Sequence, residues 1–266
     1  MCALNIMNRF FLFLLLSIST ISKGFALFSS DVASDYGSNW NTGDNNGYGF
    51  NAWDLSNSNN DGETVFAGCF IGDSTSGAAN INTGTNQSFG LFANPAGAYI
   101  TAARGFSSNL SANDQFDVKL ALNFDNGNKG FNLRNGVTNV FGFNVSNGAN
   151  INSVFTNNAI TAQYDYGGDA LINAVVQITS SNSLSYEISR TSNLGIQGIL
   201  YSGTITDINV SIDNVEFYVS GTDDGSAQNN LYFNSLQVTE VPEPAHISFI
   251  LLFSAMVLTL LRRRLD

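Results

Sequence analysis

The side chains that perform most enzyme chemistry are nearly missing from this sequence. Its 266 residues hold one histidine and two cysteines. The histidine, His246, lies near the C-terminus, so no Ser-His-Asp or Cys-His arrangement can form in the body of the chain. The cysteines are Cys2 and Cys69, which excludes a transition-metal site built on clustered histidine and cysteine. Carboxylates remain. Glycoside hydrolysis needs one carboxyl that keeps its proton and a second that stays ionised, ~5–10 Å apart. Glu63, Glu187, Glu216 and Glu240 are the glutamates ahead of the tail. No pair of them sits in a recognisable catalytic strand pattern, so a non-enzymatic protein is expected.

Oxygen-rich loops suit a hard cation better. Calcium takes roughly six to eight oxygens from Asp, Asn and backbone carbonyls. "NTGDNNG" with Asp44, "SNNDGE" with Asp61 and Glu63, and "GTDDGSAQNN" with Asp223 and Asp224 supply such oxygens. None follows a known calcium-loop spacing, and the same residues make Asx-turns without any metal. Glycan binding would use aromatic rings stacked on sugar faces, beside Asn and Asp that bond the hydroxyls. Trp40, Tyr48, Trp53, Tyr164 and Tyr166 lie in or beside turn-rich sequence, and loops on a rigid scaffold favour such sites. Trp40 and Trp53 are the candidate glycan contacts. Against this, the alternation in "NAWDL" places Trp53 with Asn51 and Leu55 on one face, which favours packing.

The elements that would position these residues are strands. From Leu27 to Glu240 apolar residues alternate with period two, as in half-buried strands. "QFDVKLALNF" puts Phe116, Val118, Leu120, Leu122 and Phe124 on one side. Phe141, Phe143 and Val145 do the same, as do Leu184, Tyr186 and Ile188, and Val215, Phe217 and Val219. Turn clusters rich in Gly, Asn and Asp separate the runs. About twelve strands and no linker predict a single antiparallel β-sandwich over residues 27–240, an all-β fold. Cys69 lies in the strand-like "TVFAGCF" and reads as a small buried hydrophobe. Charged residues are only 12 % of the chain, against roughly 25 % in ordinary soluble domains. The net charge is −11, and Arg104, Lys119, Lys129, Arg134 and Arg190 are scattered. No basic stripe exists for nucleic acid.

The two ends read as addresses. "MCALNIMNRFFLFLLLSISTISKGFA" has Arg9, an apolar run over Phe10–Leu16, and small residues at Gly24 and Ala26, which predicts a secretory signal peptide over 1–26 cut by signal peptidase after Ala26. At the other end Ala245–Leu261 are mostly apolar. As a helix rising ~1.5 Å per residue, this stretch covers about 26 Å, marginal for a hydrocarbon layer of ~30 Å, and is read as a transmembrane helix over 245–261. Arg262, Arg263 and Arg264 follow and would stay on the cytoplasmic side, leaving the body outside. Pro242-Glu243-Pro244 holds the junction extended.

This ordered tail over 241–266 resembles the PEP-CTERM sorting signal: a Pro-Glu-Pro motif, a transmembrane helix, then an arginine cluster. The resemblance implies processing by an exosortase, a membrane protease. It also implies delivery from the inner membrane to the cell surface or extracellular matrix of bacteria that make exopolysaccharide. The body also has a likeness. "YGFNAWDLSNSNNDGETVFAGCFIGDS", "SFGLFAN" and "VEFYVSGTDDGSAQNNLYFNSLQV" resemble a bacterial surface module of the concanavalin-like, jelly-roll type. Together these imply a secreted or surface-anchored, non-enzymatic protein associated with exopolysaccharide. A carbohydrate-binding module with a defined ligand is the alternative, and a glycoside-active enzyme a further one.

Overall fold

Strand alternation carries through to the tertiary structure, a computed structural model that describes residues 26–57, 64–146, 149–153, 156–162, 171–191, 198–207, 211–223 and 225–241. The fold is all-β. In chain order the strands are β1 (Ala26–Asp31), β2 (Phe50–Asn57), β3 (Phe66–Gly72), β4 (Ser88–Asn94), β5 (Tyr99–Leu110), β6 (Asp114–Ala121), β7 (Asn128–Asn135), β8 (Thr138–Val145), β9 (Ala149–Ser153), β10 (Thr156–Ala162), β11 (Leu171–Ser180), β12 (Ser183–Thr191), β13 (Gly198–Thr206), β14 (Ile212–Ser220) and β15 (Leu231–Glu240). Among the described residues that is fifteen strands where about twelve were expected. The excess is understandable: β9 (ANINS) and β10 (TNNAITA) carry no alternating large apolar residues and hold their places through pairing with each other and with β8.

Two antiparallel sheets form the sandwich. One runs β13-β12-β11-β6-β15-β4-β3, with β1 also paired to β15; the other runs β10-β9-β8-β7-β14-β5-β2. The last two strands enter the middle of the sheets. β14 lies between β5 and β7, and β15 between β4 and β6. Residues Leu27–Thr239 form one compact unit. The signal segment, the Pro242-Glu243-Pro244 motif, the 245–261 helix and Arg262–Arg264 lie outside the described residues. Among the described residues no helix is long and apolar enough to cross a membrane.

The inward residues are those the alternation selects. Phe116, Val118, Leu120, Phe141, Phe143, Val145, Val215, Phe217 and Val219 are all buried. Phe124 departs from its expected row because β6 ends at Ala121; Phe124 sits in the following loop, half-buried. An aromatic spine joins the sheets. Phe217 and Phe233 stack with ring centres 3.8 Å apart, Phe233 stacks on Phe89 at 5.1 Å, and Trp53 meets Phe89 at 5.5 Å. Each such pair adds ~0.5–1.5 kcal/mol to the burial of the rings themselves.

One polar cluster is sealed in this core. Arg104 is 1 % exposed and stands on the inner face of β5. Its guanidinium pairs with Asp31, which is fully buried. It also donates to the carbonyl of Asn51 at 2.8 Å, to Asn45 Oδ1 at 2.6 Å and to Tyr36 Oη at 2.6 Å. The Phe50 and Trp53 rings flank it at 4.9 and 5.1 Å. Burial lowers its pKa to about 10, so it remains charged at neutral pH.

Candidate functional site

Trp40 and Trp53, the candidate glycan contacts, lie in the core. They are 4 % and 1 % exposed and meet edge to face, ring centres 5.0 Å apart, inside the aromatic spine. The packing expectation holds for Trp53 and for Leu55, which packs against the same core, but not for Asn51. The β2–β5 register shifts between Phe50 and Trp53, which turns both inward and leaves Asn51 exposed. Tyr48 is 71 % exposed, while Tyr164 and Tyr166 lie outside the described residues.

Of the calcium candidates, Asp44 and Asp223 are among the described residues. Asp44 Oδ2 accepts the Asn41 amide at 2.8 Å, tying down its own loop. Asp61 and Asp224 lie outside the described residues. Asp223 accepts from Asn126 Nδ2 at 3.0 Å, in a loop junction whose centre holds the Lys129 ammonium. Among the described residues no three His, Cys, Asp or Glu side chains converge as a metal site. Cys69 is half-buried, and its thiol lies 3.7 Å from the Trp40 carbonyl; burial raises its pKa.

A different site emerges on the outer face of the second sheet. A groove of about 440 Å³ opens over β5, β14, β7 and β8, within the size range of ordinary ligand sites. Strand register arranges its residues in rows that cross the strands. In the middle row Tyr218 stands opposite Thr101 on one side and Gly130 on the other, and Gly130 stands opposite Asn144. Ser220, Tyr99 and Asn128 make one flanking row. Glu216 and Asn132 make the other, with small Ala103 and Gly142 at its ends. Gly130 is dictated by close approach: a Cβ there would lie 1.9 Å from the Phe143 carbonyl oxygen.

The polar atoms in the groove are aligned by one another. Tyr218 donates to Asn144 Oδ1 at 3.0 Å. Burial raises the Tyr218 phenol pKa, and nearby Glu216 acts in the same direction, so the hydroxyl remains a donor. With its oxygen engaged, Asn144 directs its amide nitrogen towards Asn128 Oδ1, at 3.4 Å. Glu216 is ion-paired with Arg134, and Asn132 Nδ2 lies 3.4 Å from its other oxygen. Among the described residues that line the groove, Glu216 is the one carboxylate. What the groove offers is a row of amides, hydroxyls and one half-exposed ring, Tyr99.

None of Tyr99, Asn128, Asn132, Asn144 and Tyr218 stands out in the sequence as a site. Parity was the available signal. In "NKGFNLRN" and "VEFYVS" alternation sends Asn128, Asn132 and Arg134, and Glu216, Tyr218 and Ser220, to the face opposite Phe131, Leu133, Val215, Phe217 and Val219. Parity does not say which strands lie side by side, so the groove could not be assembled from it.

No family model matches the chain, and no curated protein does. Solved structures similar to it include the W1238A mutant of HCR/D, at 10 % identity and TM-score 0.45 over 88 % of this chain and 52 % of that one. The botulinum neurotoxin serotype D binding domain is similar at 10 % identity and TM-score 0.44 over 81 % and 48 %. The chain thus spans about half the length of these two. The Ca²⁺-bound exoplasmic/lumenal domain of VIP36 is similar at 10 % identity and TM-score 0.43 over 72 % and 84 %. Function is left to the geometry of the groove.

Proposed function

We propose that this is an exported, non-enzymatic surface protein that holds a neutral polysaccharide chain in the groove on β5, β14, β7 and β8. The carrying observation is the polar lining of this groove on four adjacent strands, with Tyr99 and Thr101 on β5, Tyr218 on β14, Asn132 on β7 and Asn144 on β8. Three strand spacings of ~4.8 Å give a floor of ~14 Å, the length of about three pyranose rings laid across the strands. Amides and hydroxyls suit sugar hydroxyls, which both donate and accept. The pairing of Glu216 with Arg134 cancels the charge in the groove, and a net charge of −11 disfavours an acidic polymer. The N-terminal segment would direct export. The PEP-CTERM-like tail would hold the protein at the inner membrane until an exosortase-type protease delivers it to the surface or the matrix.

The test is calorimetric titration of the full-length protein, in detergent, with neutral glucan oligosaccharides of increasing length and with oligouronates. Binding of the neutral series is expected, strengthening up to about three residues and then levelling. Asn132→Ala and Tyr218→Phe each remove one aligned hydrogen bond, worth ~0.5–1.5 kcal/mol, and so weaken binding about 3–10-fold. Absence of binding to every oligosaccharide refutes the reading. Release of shorter sugars, abolished by Glu216→Gln, replaces it with an enzyme.

A further inference from the structure

Lys129 sits on β7 between two groove residues, Asn128 and Gly130, and points the other way, into the end of the sandwich. It is fully buried. Its ammonium donates to the Phe124 carbonyl at 2.7 Å, to Asn126 Oδ1 at 3.0 Å and to the Asn229 carbonyl at 3.0 Å. An ammonium has three N–H donors and no acceptor, and here it faces three oxygens. Two come from the β6–β7 connection and one from the β14–β15 connection. Asp125 and Asp223 add negative potential from the same two loops. Burial lowers the Lys129 pKa to about 8 against that attraction, which still leaves it charged at neutral pH.

The two loops are bonded to each other around this centre. The Phe124 amide donates to the Gln228 carbonyl at 3.3 Å, and Asn126 Nδ2 donates to Asp223 at 3.0 Å. At Gly127 a Cβ would lie 2.3 Å from the carbonyl oxygen of Ser220. Ser220 and Asn128 are also the residues that close one side of the groove. Backbone carbonyls, an amide oxygen and nearby carboxylates are the donor set of a hard cation.

We propose that Lys129 is a built-in cation: its ammonium fills an oxygen cage between the β6–β7 and β14–β15 connections that would otherwise take a free cation such as Ca²⁺, and so it holds the end of the groove without a metal. A shortened side chain opens the cage. An apolar one of similar length fills it without donating.

Melting of the full-length protein in detergent tests this, with EDTA, calcium chloride or methylammonium chloride as the probe. Wild type is expected to melt at one temperature in all three. Lys129→Ala is expected to melt about 10 °C lower in EDTA and to recover at least half of that with millimolar calcium or methylammonium. Lys129→Met is expected to melt low and not recover. The proposal is overturned if calcium raises wild type as much as Lys129→Ala, if Lys129→Met recovers equally, or if Lys129→Ala ignores both cations. Should Lys129→Ala be unfolded in EDTA, refolding in either cation supports the proposal, and failure in both overturns it. Reductive methylation of the wild type is a second check. Exposed Lys119 should react and Lys129 should not; equal modification of the two overturns the cage.

Discussion

Removing the Arg104 guanidinium should expose how much of the core depends on one ion pair. Arg104→Met keeps most of the volume between Phe50 and Trp53 but leaves Asp31 buried without its cation. It also leaves the Asn51 carbonyl, Asn45 Oδ1 and Tyr36 Oη without this donor. Asp31 has no room to reorient: a Cβ on Gly47 would lie 2.6 Å from its Oδ1, which has no hydrogen-bond partner among the described residues. Breaking one side of a buried pair costs ~3–5 kcal/mol, a large share of a typical net stability of ~5–15 kcal/mol. Asp31→Leu should cost a similar amount by stranding the guanidinium. The double variant strands neither charge, so its loss should fall short of the summed single losses by about 2–3 kcal/mol. Urea unfolding of the full-length protein, followed by tryptophan fluorescence, reads this directly, because Trp53 flanks Arg104 at 5.1 Å. Additive single losses, within ~0.5 kcal/mol, or a loss below ~1 kcal/mol for Arg104→Met, would refute the reasoning.

Three further outcomes follow from other parts of the chain. Gly130→Ala forces β8 away from β7 and should cost ~3 kcal/mol by overpacking; Gly136→Ala, strained at φ +57° but with nothing within 4 Å of its Cβ, should cost only ~1 kcal/mol, as urea midpoints would show. The Cys69 thiol has its pKa raised above the ordinary 9.0 by burial, so the thiolate forms only at higher pH. Its alkylation by iodoacetamide should have a midpoint above pH 9.0, and half-maximal reaction near neutral pH would contradict the half-buried placement. Mass spectrometry of the mature protein should place its first residue at Leu27 and its last near Pro242-Glu243-Pro244; an untrimmed chain recovered from cytosol would end the export reading.

The order of residues was enough to establish the all-β class, the inward rows such as Phe116–Val118–Leu120 and Val215–Phe217–Val219, and the lack of histidine chemistry in the body. Those are local properties: period-two alternation needs only neighbours in the chain, and an absent residue type needs no fold at all. Tertiary structure alone decided the rest. Asn132 and Glu216 meet across 84 residues of chain, and Lys129 reaches the Asn229 carbonyl across 100, because β14 and β15 insert between strands that lie much earlier in the chain. No local pattern encodes which strand receives a late arrival; that choice is settled by burying both inner faces at once. The same insertion buried Trp40 and Trp53, for which the sequence had left both stacking and core packing open. It also placed a lysine among loop oxygens that had looked suited to calcium, and set four outward-facing strand surfaces side by side as a groove.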